Sequence, residues 1–325
     1  MTTGVICFGS LIARLSCTDP GTGEDVARIF GASLKPPTSE LIARVEADIA
    51  MAEQTRQEWP HRPLIPLDGM VLRHSDGHPE IHTESISVMV DLTASPARAD
   101  FALFPPYSSH FDLCVHLAVA FHKLLFLMDR VVLHAAAVRL GNCVSVFLGG
   151  RGAGKSTVAL RMARAGGTVL GEDHLILKRS NSGFAVSGCD ERSRLDAKTE
   201  KHFFDQPLPA EPVDFAGRLK KEMPAGQLFR SQPYTDHRAD LLFFARPGTS
   251  FAITSIPRQI ALLKLMEAAG KLQRFVDPTD RGRFLAMLSE FVTTIQPYDL
   301  TLSDDLRELD RLAHFLEPGG PGAAR

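Results

Sequence analysis

The sequence predicts an α/β core with an α+β region ahead of it. Three observations lead there. "SVFLGGRGAGKSTVALRMARAGG", beginning at Ser145, reads as an apolar strand, a glycine-rich loop and a helix. A second short strand, "TVLG", follows that helix at once and ends in Glu172 and Asp173. From Gly69 to about Phe104, apolar and polar residues alternate as they do in strands. The expected boundaries are an N-terminal α+β region over 1–108, the α/β domain over 109–316 and a disordered tail over 317–325.

Composition sets the outer limits. The chain has 325 residues, 44% of them hydrophobic and 23% charged, which is ordinary for a globular protein large enough for a sizeable core. Its formal net charge of -2 gives no basic field that would argue for nucleic acid or an anionic membrane as partner. The cysteines Cys7, Cys17, Cys114, Cys143 and Cys189 fit no zinc spacing, and their odd number suits a disulfide framework poorly. Reduced thiols and a cytoplasmic location are expected. "MTTGVICFGSLIARLSC" lacks the basic segment of a signal peptide.

The elements follow in order. "SELIARVEADIAMAEQTRQEW" has a helical period with Ser39 as N-cap, and "PHRPLIP" breaks the chain after it. "GMVLRH", "PEIHTESISVMVDL" and "ADFALF" are strands, separated by "SDGHP" and "TASPA" turns. The apolar run Phe111 to Asp129 is interrupted by His116, His122 and Lys123, so it is expected as a buried helix rather than a membrane span. "RVVLHAAAV" is a strand. "ILKRSNSGFAVS" is a hairpin turning at "SNSG". "DERSRLDAKTEKHFF" reads as helical and "DQPLPAEPVDF" as a loop. "RADLLFFARPG" is a buried strand stopped by Pro-Gly, and "SFAITSI" is another strand. Pro257 is placed to start a helix. A helix at "RGRFLAMLSEFVTT", a strand at "QPYDLTL" and a helix at "SDDLRELDRLAHFL" complete the order. In the last of these Ser303 serves as N-cap, and Asp304 and Asp305 suit the positive helix end.

The loop "GGRGAGKS" carries a chemical pattern. Gly149, Gly150, Gly152 and Gly154 let the backbone of this loop, which also holds Arg151 and Ala153, curl so that its amides point inward at phosphate oxygens. Lys155 then reaches the β- and γ-phosphates as a point charge. The Ser156 hydroxyl can ligate Mg²⁺, and Thr157 continues the helix whose positive end faces the same anion. An apolar strand before the loop and a helix after it are the context this pattern needs. ATP and Mg²⁺ are therefore the expected ligands.

Glu172 and Asp173 stand where ligands sit in such folds, beyond the carboxyl end of a strand. One acid can hold Mg²⁺ while the other accepts a proton from an attacking hydroxyl. A solvated turn is the plain alternative. The acidic strand follows the phosphate-loop helix immediately, unlike its distant placement in motor and transporter ATPases. Neither a Ser-Gly-Gly-Gln stretch nor a guanine-reading Asn-Lys-x-Asp is present.

The segments "VVLHAAAV" and "GGRGAGKSTVALRMARAGGTVLGED" together resemble the HPr kinase/phosphorylase family, and more closely the bacterial HPr-kinase-related proteins outside sugar regulation. The resemblance is specific from His134 to Ile176. It continues weakly to about Phe315 through "LLFFARPG" and "VTTIQPYDLTL". It implies a P-loop kinase core related to the C-terminal domain of HPr kinase and to phosphoenolpyruvate carboxykinase. It also implies ATP-dependent phosphoryl transfer to a serine hydroxyl on a protein or peptide. By the same resemblance, His134 is the histidine near the phosphates, and Lys155 and Ser156 belong to the phosphate loop. Glu172 matches the family's first acid, as base, and Asp173 the second, as metal support. Glu172 replaces an Asp, and Thr157 stands where a Glu is usual. The family's second signature, a Gly- and Asn-containing stretch near an Arg, is not visible. Neither HPr itself nor reverse phosphorolysis is therefore implied. Relatives that phosphorylate the C-terminal Ser of lasso-peptide precursors suggest a modified-peptide substrate.

Other residues carry less. His74, His78 and His82 recur every four residues, but "HSDGHP" is a turn and Pro79 would break a helix. Arg218 and Lys220, in "GRLKKEMPAG", could bring cationic charge to the phosphates from a mobile loop. A homo-oligomer is left open. Two rival functions remain at this point: a nucleotide-binding regulatory module without phosphotransfer, and a kinase of a small hydroxylated metabolite such as serine.

Overall fold

The computed structural model describes residues 2–8, 11–17, 45–53, 71–75, 78–82, 86–91, 93–94, 97–103, 122, 125–189, 192–214, 219–233, 235–273 and 281–317. The chain divides into two compact units, Met1–Val132 with Lys271–Arg281, and Leu133–Gly270 with Gly282–Arg325.

In the first unit, seven strands are β1 (Thr2–Phe8), β2 (Leu11–Cys17), β3 (Val45–Glu53), β4 (Val71–Ser75), β5 (His78–His82), β6 (Ile86–Asp91) and β7 (Ala97–Leu103). They form one sheet in the order β1-β2-β3-β7-β6-β5-β4. β7 shows how sequence makes this sheet. Ala99 and Phe101 are buried, while Arg98 and Asp100 alternate with them and pair across the other face at 3.0 Å.

The helix expected from Ser39 is corrected. Ser39 lies outside the described residues, and Val45–Glu53 is the strand β3, parallel to both β2 and β7. Val45, Ala47, Ile49 and Met51 alternate with Glu46, Asp48, Ala50 and Ala52. That two-residue period, with hydrogen-bonding partners on both edges, prevails over the helical spacing. His74, His78 and His82 lie on strands β4 and β5. Of the apolar run Phe111 to Asp129, only His122 and Leu125–Asp129 are described; His122 and Leu125–Leu127 are helical.

β8 (Arg130–Leu133) follows. The second unit then contains β9 (Ala135–Leu140), β10 (Cys143–Leu148), α1 (Lys155–Arg164), β11 (Thr168–Gly171), β12 (Leu175–Ser180), β13 (Gly183–Gly188) and β14 (Arg192–Leu195). Next come α2 (Ala197–Phe203), β15 (Pro212–Asp214), β16 (Leu219–Pro224), α3 (Ala225–Leu228), β17 (His237–Arg238), β18 (Leu241–Pro247) and β19 (Ala252–Ser255). The last elements are α4 (Arg258–Gln273), α5 (Arg281–Thr294), β20 (Gln296–Leu302) and α6 (Leu309–Leu316).

The main sheet runs β11-β9-β10-β18-β20-β19. β10, β18 and β20 are parallel, and β9 is antiparallel to both β10 and β11. β10 and β11 therefore point the same way although β9 separates them. "VSVFL" and "LLFFA" are continuously buried, as parallel strands covered on both faces should be. Register places Phe147, Phe243 and Tyr298 side by side on β10, β18 and β20, and their rings stack at 5.1 and 5.4 Å. Val158, Ala159 and Met162 of α1 share one apolar cluster with these rings and with Leu309, Leu312 and Leu316 of α6.

The hairpin expected at "SNSG" is β12–β13, closing at Ser180 and Gly183. Four local expectations are corrected. "DERSRLDAKTEKHFF" is half strand: Arg192–Leu195 is β14, and Asp196 then caps α2 by accepting from the Thr199 amide at 2.8 Å. The segment 212–214 is a strand rather than a loop, and the basic run at Lys220 is strand β16 rather than a mobile loop; they pair in a sheet ordered β14-β16-β15. At the C-terminal helix, Asp305 is the cap of a short 3-10 turn, Leu306–Glu308, and α6 starts only at Leu309. Ser303 instead donates to Glu308.

Among the described residues, no helix is long and apolar enough to cross a membrane. Removing the central ring of the aromatic stack should expose how far the main sheet depends on it. Phe243→Ala is expected to cost about 3–5 kcal/mol of stability, measured by urea unfolding.

Candidate active site

The glycine-rich loop joins the end of β10 to the start of α1. Gly149 lies against β18, where a Cβ would come within 2.5 Å of the Ala245 carbonyl oxygen and 2.8 Å of the Ala153 Cβ. Gly154 has φ 92°, in the left-handed region, and a Cβ there would meet Leu302 Cδ1 at 2.6 Å. The Ala153 amide closes the turn by donating to the Gly150 carbonyl at 3.1 Å. Gly150, Arg151 and Gly152 are exposed at the loop tip, and Ala153 is buried beneath it. The first-turn amides of α1 have no carbonyl partner within the helix, so its positive end faces the loop.

Lys155 is buried and reaches back across the loop. Its ammonium donates to the Gly149 carbonyl at 3.0 Å, to the Gly150 carbonyl at 3.3 Å and to His134 Nε2 at 3.1 Å. Those contacts use all three of its donors. His134 Nδ1 lies 2.9 Å from the Asp173 carbonyl. A carbonyl only accepts and an ammonium only donates, so His134 is the neutral tautomer with its proton on Nδ1. His134 is nonetheless an exposed residue. Even so, desolvation and then the Lys155 charge lower its pKa to about 4. Burial also lowers the Lys155 pKa, with Asp173 opposing the shift.

The two acids differ sharply. Glu172 is buried, 6% exposed. Its Oε2 accepts from the Ser193 hydroxyl, and its Oε1 has no partner among the described residues. Burial raises its pKa to about 7, against the hydrogen bond from Ser193 and the nearby Ser156 hydroxyl. Asp173 stands half-buried in a turn at φ 61°. Burial works against its charge, but His134, His174, Arg194 and Lys220 hold its pKa below the usual carboxylate range. Arg194 approaches Asp173 at 3.6 Å and Glu222 at 2.7 Å.

No protein-family model matches the chain. No curated protein matches it either. Among solved structures, the Hpr(Ser) kinase/phosphatase from Coxiella burnetii is similar over 57% of this chain and 92% of that one, at 11% identity and a TM-score of 0.29. A likeness that low leaves the fold of this chain to be argued from its own strands and packing.

Five of the residues singled out from the sequence are brought together. His134, Lys155, Ser156, Glu172 and Asp173 are linked by the contacts above. Thr157 turns from the loop to meet Thr199 of α2, hydroxyl to hydroxyl, at 3.1 Å. Lys220, on β16, lies within electrostatic reach of Lys155, Glu172 and Asp173. Arg218 lies outside the described residues. Ser193 and Arg194 were invisible because their segment reads as a helix. The alternation of buried Ser193 and Leu195 around Arg194 is the signal that could have revealed a strand.

The donor set suits a magnesium nucleotide. Ser156 and Asp173 offer hard oxygen ligands, and the buried Oε1 of Glu172 is an unsatisfied acceptor beside them. Among the described residues, no cluster of three or more His, Cys, Asp or Glu could hold a metal by itself. Mg²⁺ would then depend on phosphate oxygens and water for the rest of its shell.

Two predictions follow from this geometry. Lys155→Ala is expected to weaken binding of a nucleoside triphosphate about 10- to 100-fold in calorimetry, because a charge-assisted donor is lost. Glu172 keeps its proton to a higher pH when folded than when unfolded. Its contribution to stability is therefore full below about pH 4.5 and is lost as pH rises through about 7. Glu172→Gln has no such titration. In urea unfolding across that window, wild type should lose about 3 kcal/mol relative to the variant.

Proposed function

We propose that this protein is an ATP-dependent kinase with a P-loop core, which transfers the γ-phosphate to a serine hydroxyl of a protein or peptide. The observation that carries this reading is Glu172: a buried carboxyl beside the phosphate loop, near-neutral in pKa, with one oxygen unpartnered. A general base keeps one oxygen for the proton it takes.

The chain's own groups divide the work. The loop amides and the N-terminus of α1 hold the phosphates. Lys155 exchanges its two loop carbonyls for β- and γ-phosphate oxygens, and His134 keeps its ammonium aimed. Ser156 and Asp173 would hold Mg²⁺, which neutralises charge on the triphosphate when bound. Glu172 Oε1 accepts the proton of the acceptor hydroxyl. The acceptor's hydroxyl oxygen, freed of that proton, forms a bond to the γ-phosphorus as the bond to the β–γ bridging oxygen breaks, and ADP leaves. Lys220 adds positive charge from β16.

The resemblance to HPr-kinase-related proteins supports a serine acceptor, and among those the C-terminal Ser of a modified-peptide precursor. The test uses γ-labelled ATP, Mg²⁺ and separate acceptors: Ser-terminated peptides, an HPr-type protein and free serine. Label on a peptide or protein, lost in Glu172→Ala, is expected. Label on free serine alone would replace the reading with a metabolite kinase. Phosphate released only to water would replace it with a nucleotide-driven switch. The rate of transfer should rise about tenfold per pH unit below about pH 7 and level above it, as Glu172 ionises.

A further inference from the structure

The hydroxyl that meets the candidate base belongs to the protein. Ser193 is buried, 1% exposed, and donates to Glu172 Oε2. A carboxylate with both oxygens free to rotate would present either one to an acceptor, and would lose entropy in choosing. Here Oε2 is tied down and Oε1 is left without a partner among the described residues. We propose that Ser193 is a positioning residue, which pins the Glu172 carboxylate so that Oε1 is the atom facing the acceptor hydroxyl. This inference rests on the kinase reading above.

The surroundings of Ser193 are built to hold it. β14 pairs antiparallel with β16, with Ser193 opposite Met223 and Arg194 opposite Glu222. Arg194 Nε binds Glu222 across that pair at 2.7 Å and approaches Asp173 at 3.6 Å. Neighbouring residues on a strand face opposite ways. Two consecutive residues of β14 thus address two consecutive acids, Ser193 on the buried side and Arg194 on the more open one. Just beyond, Asp196 caps α2, and Thr199 on that helix meets Thr157 of α1. The strand is therefore fastened next to the phosphate loop as well as to the acids. Ser193 forms no bond to phosphate in this scheme; it acts through Glu172.

The experiment compares wild type, Ser193→Ala, Ser193→Thr, Glu172→Ala and the Ser193→Ala/Glu172→Ala double variant. Each is given γ-labelled ATP, Mg²⁺ and the acceptor that wild type labels. Ser193→Ala is expected to lower kcat about 10- to 100-fold, with KM for ATP changed less than about twofold. Ser193→Thr, which keeps the hydroxyl, should recover most of the rate. The double variant should be no slower than Glu172→Ala alone, because the serine works only through the glutamate.

An unchanged kcat in Ser193→Ala overturns the inference, and so does a loss confined to KM. A further loss in the double variant also overturns it, as does label mapped to Ser193 itself. Should Ser193→Ala fail to fold, Ser193→Thr against Ser193→Val makes the same comparison at matched shape. A wild type that binds ATP and transfers nothing sinks the kinase reading and this inference together. Wild-type transfer with an indifferent Ser193 sinks this inference alone.

Discussion

A buried carboxylate is expensive, and the arrangement around Glu172 is what makes it tolerable. Desolvation pushes its pKa to about 7, and the hydroxyls of Ser193 and Ser156 draw it back only in part. Removing the charge altogether would be simpler for folding, since a glutamine or an apolar residue needs less support. Several separate elements nevertheless converge on it: the end of β11, the first turn of α1, strand β14 and, through Lys220, strand β16. Such convergence on one acid of raised pKa is what its proposed role as base draws on.

A second chain of contacts sets the cation. The Asp173 backbone carbonyl fixes the His134 tautomer, His134 accepts from Lys155, and Lys155 bridges to the loop carbonyls. The backbone at the end of β11 thereby helps to set where the lysine of the glycine-rich loop points. Asp173 achieves this in the left-handed region, which an aspartate tolerates better than most residues. Backbone and side chain of one residue thus serve different partners, the carbonyl for His134 and the carboxylate toward Arg194.

Both chains of contacts need the strand ends to be held rigidly. The aromatic stack of Phe147, Phe243 and Tyr298 ties the three parallel strands at the same level. α1 is pressed onto that layer through Val158 and Met162 and tied to α6 by the Arg161–Asp310 pair. β16 is anchored separately. Lys221 reaches the Glu200 carboxylate at 2.8 Å and the Leu208 carbonyl at 3.0 Å. Its neighbour Lys220 thereby faces the other way, toward the acids. One member of the basic run is tied to Glu200, and the other lies within electrostatic reach of Glu172 and Asp173.

Much was legible in the sequence because it is local. Strand, glycine loop and helix occupy consecutive residues, so Gly149, Gly154, Lys155 and Ser156 announce themselves by spacing. Glu172 and Asp173 follow within one further strand. Buried parallel strands such as "LLFFA" are also readable, since both faces must be apolar. What misled was local as well: "VEADIAMAE" and "ERSRLD" suit a helix by composition, and only their neighbouring strands decide otherwise. The sequence by itself determined the glycine-rich loop, its lysine and the placement of the acidic pair, because each depends on backbone conformation within a few residues. Only the tertiary structure decided that Ser193 grips one acid and that Arg194 approaches the other. It alone turned Lys220 rather than Lys221 to the site and tied His134 to Lys155. Those contacts join residues more than twenty positions apart, and no local rule encodes which long-range partner a burial-driven fold will bring home.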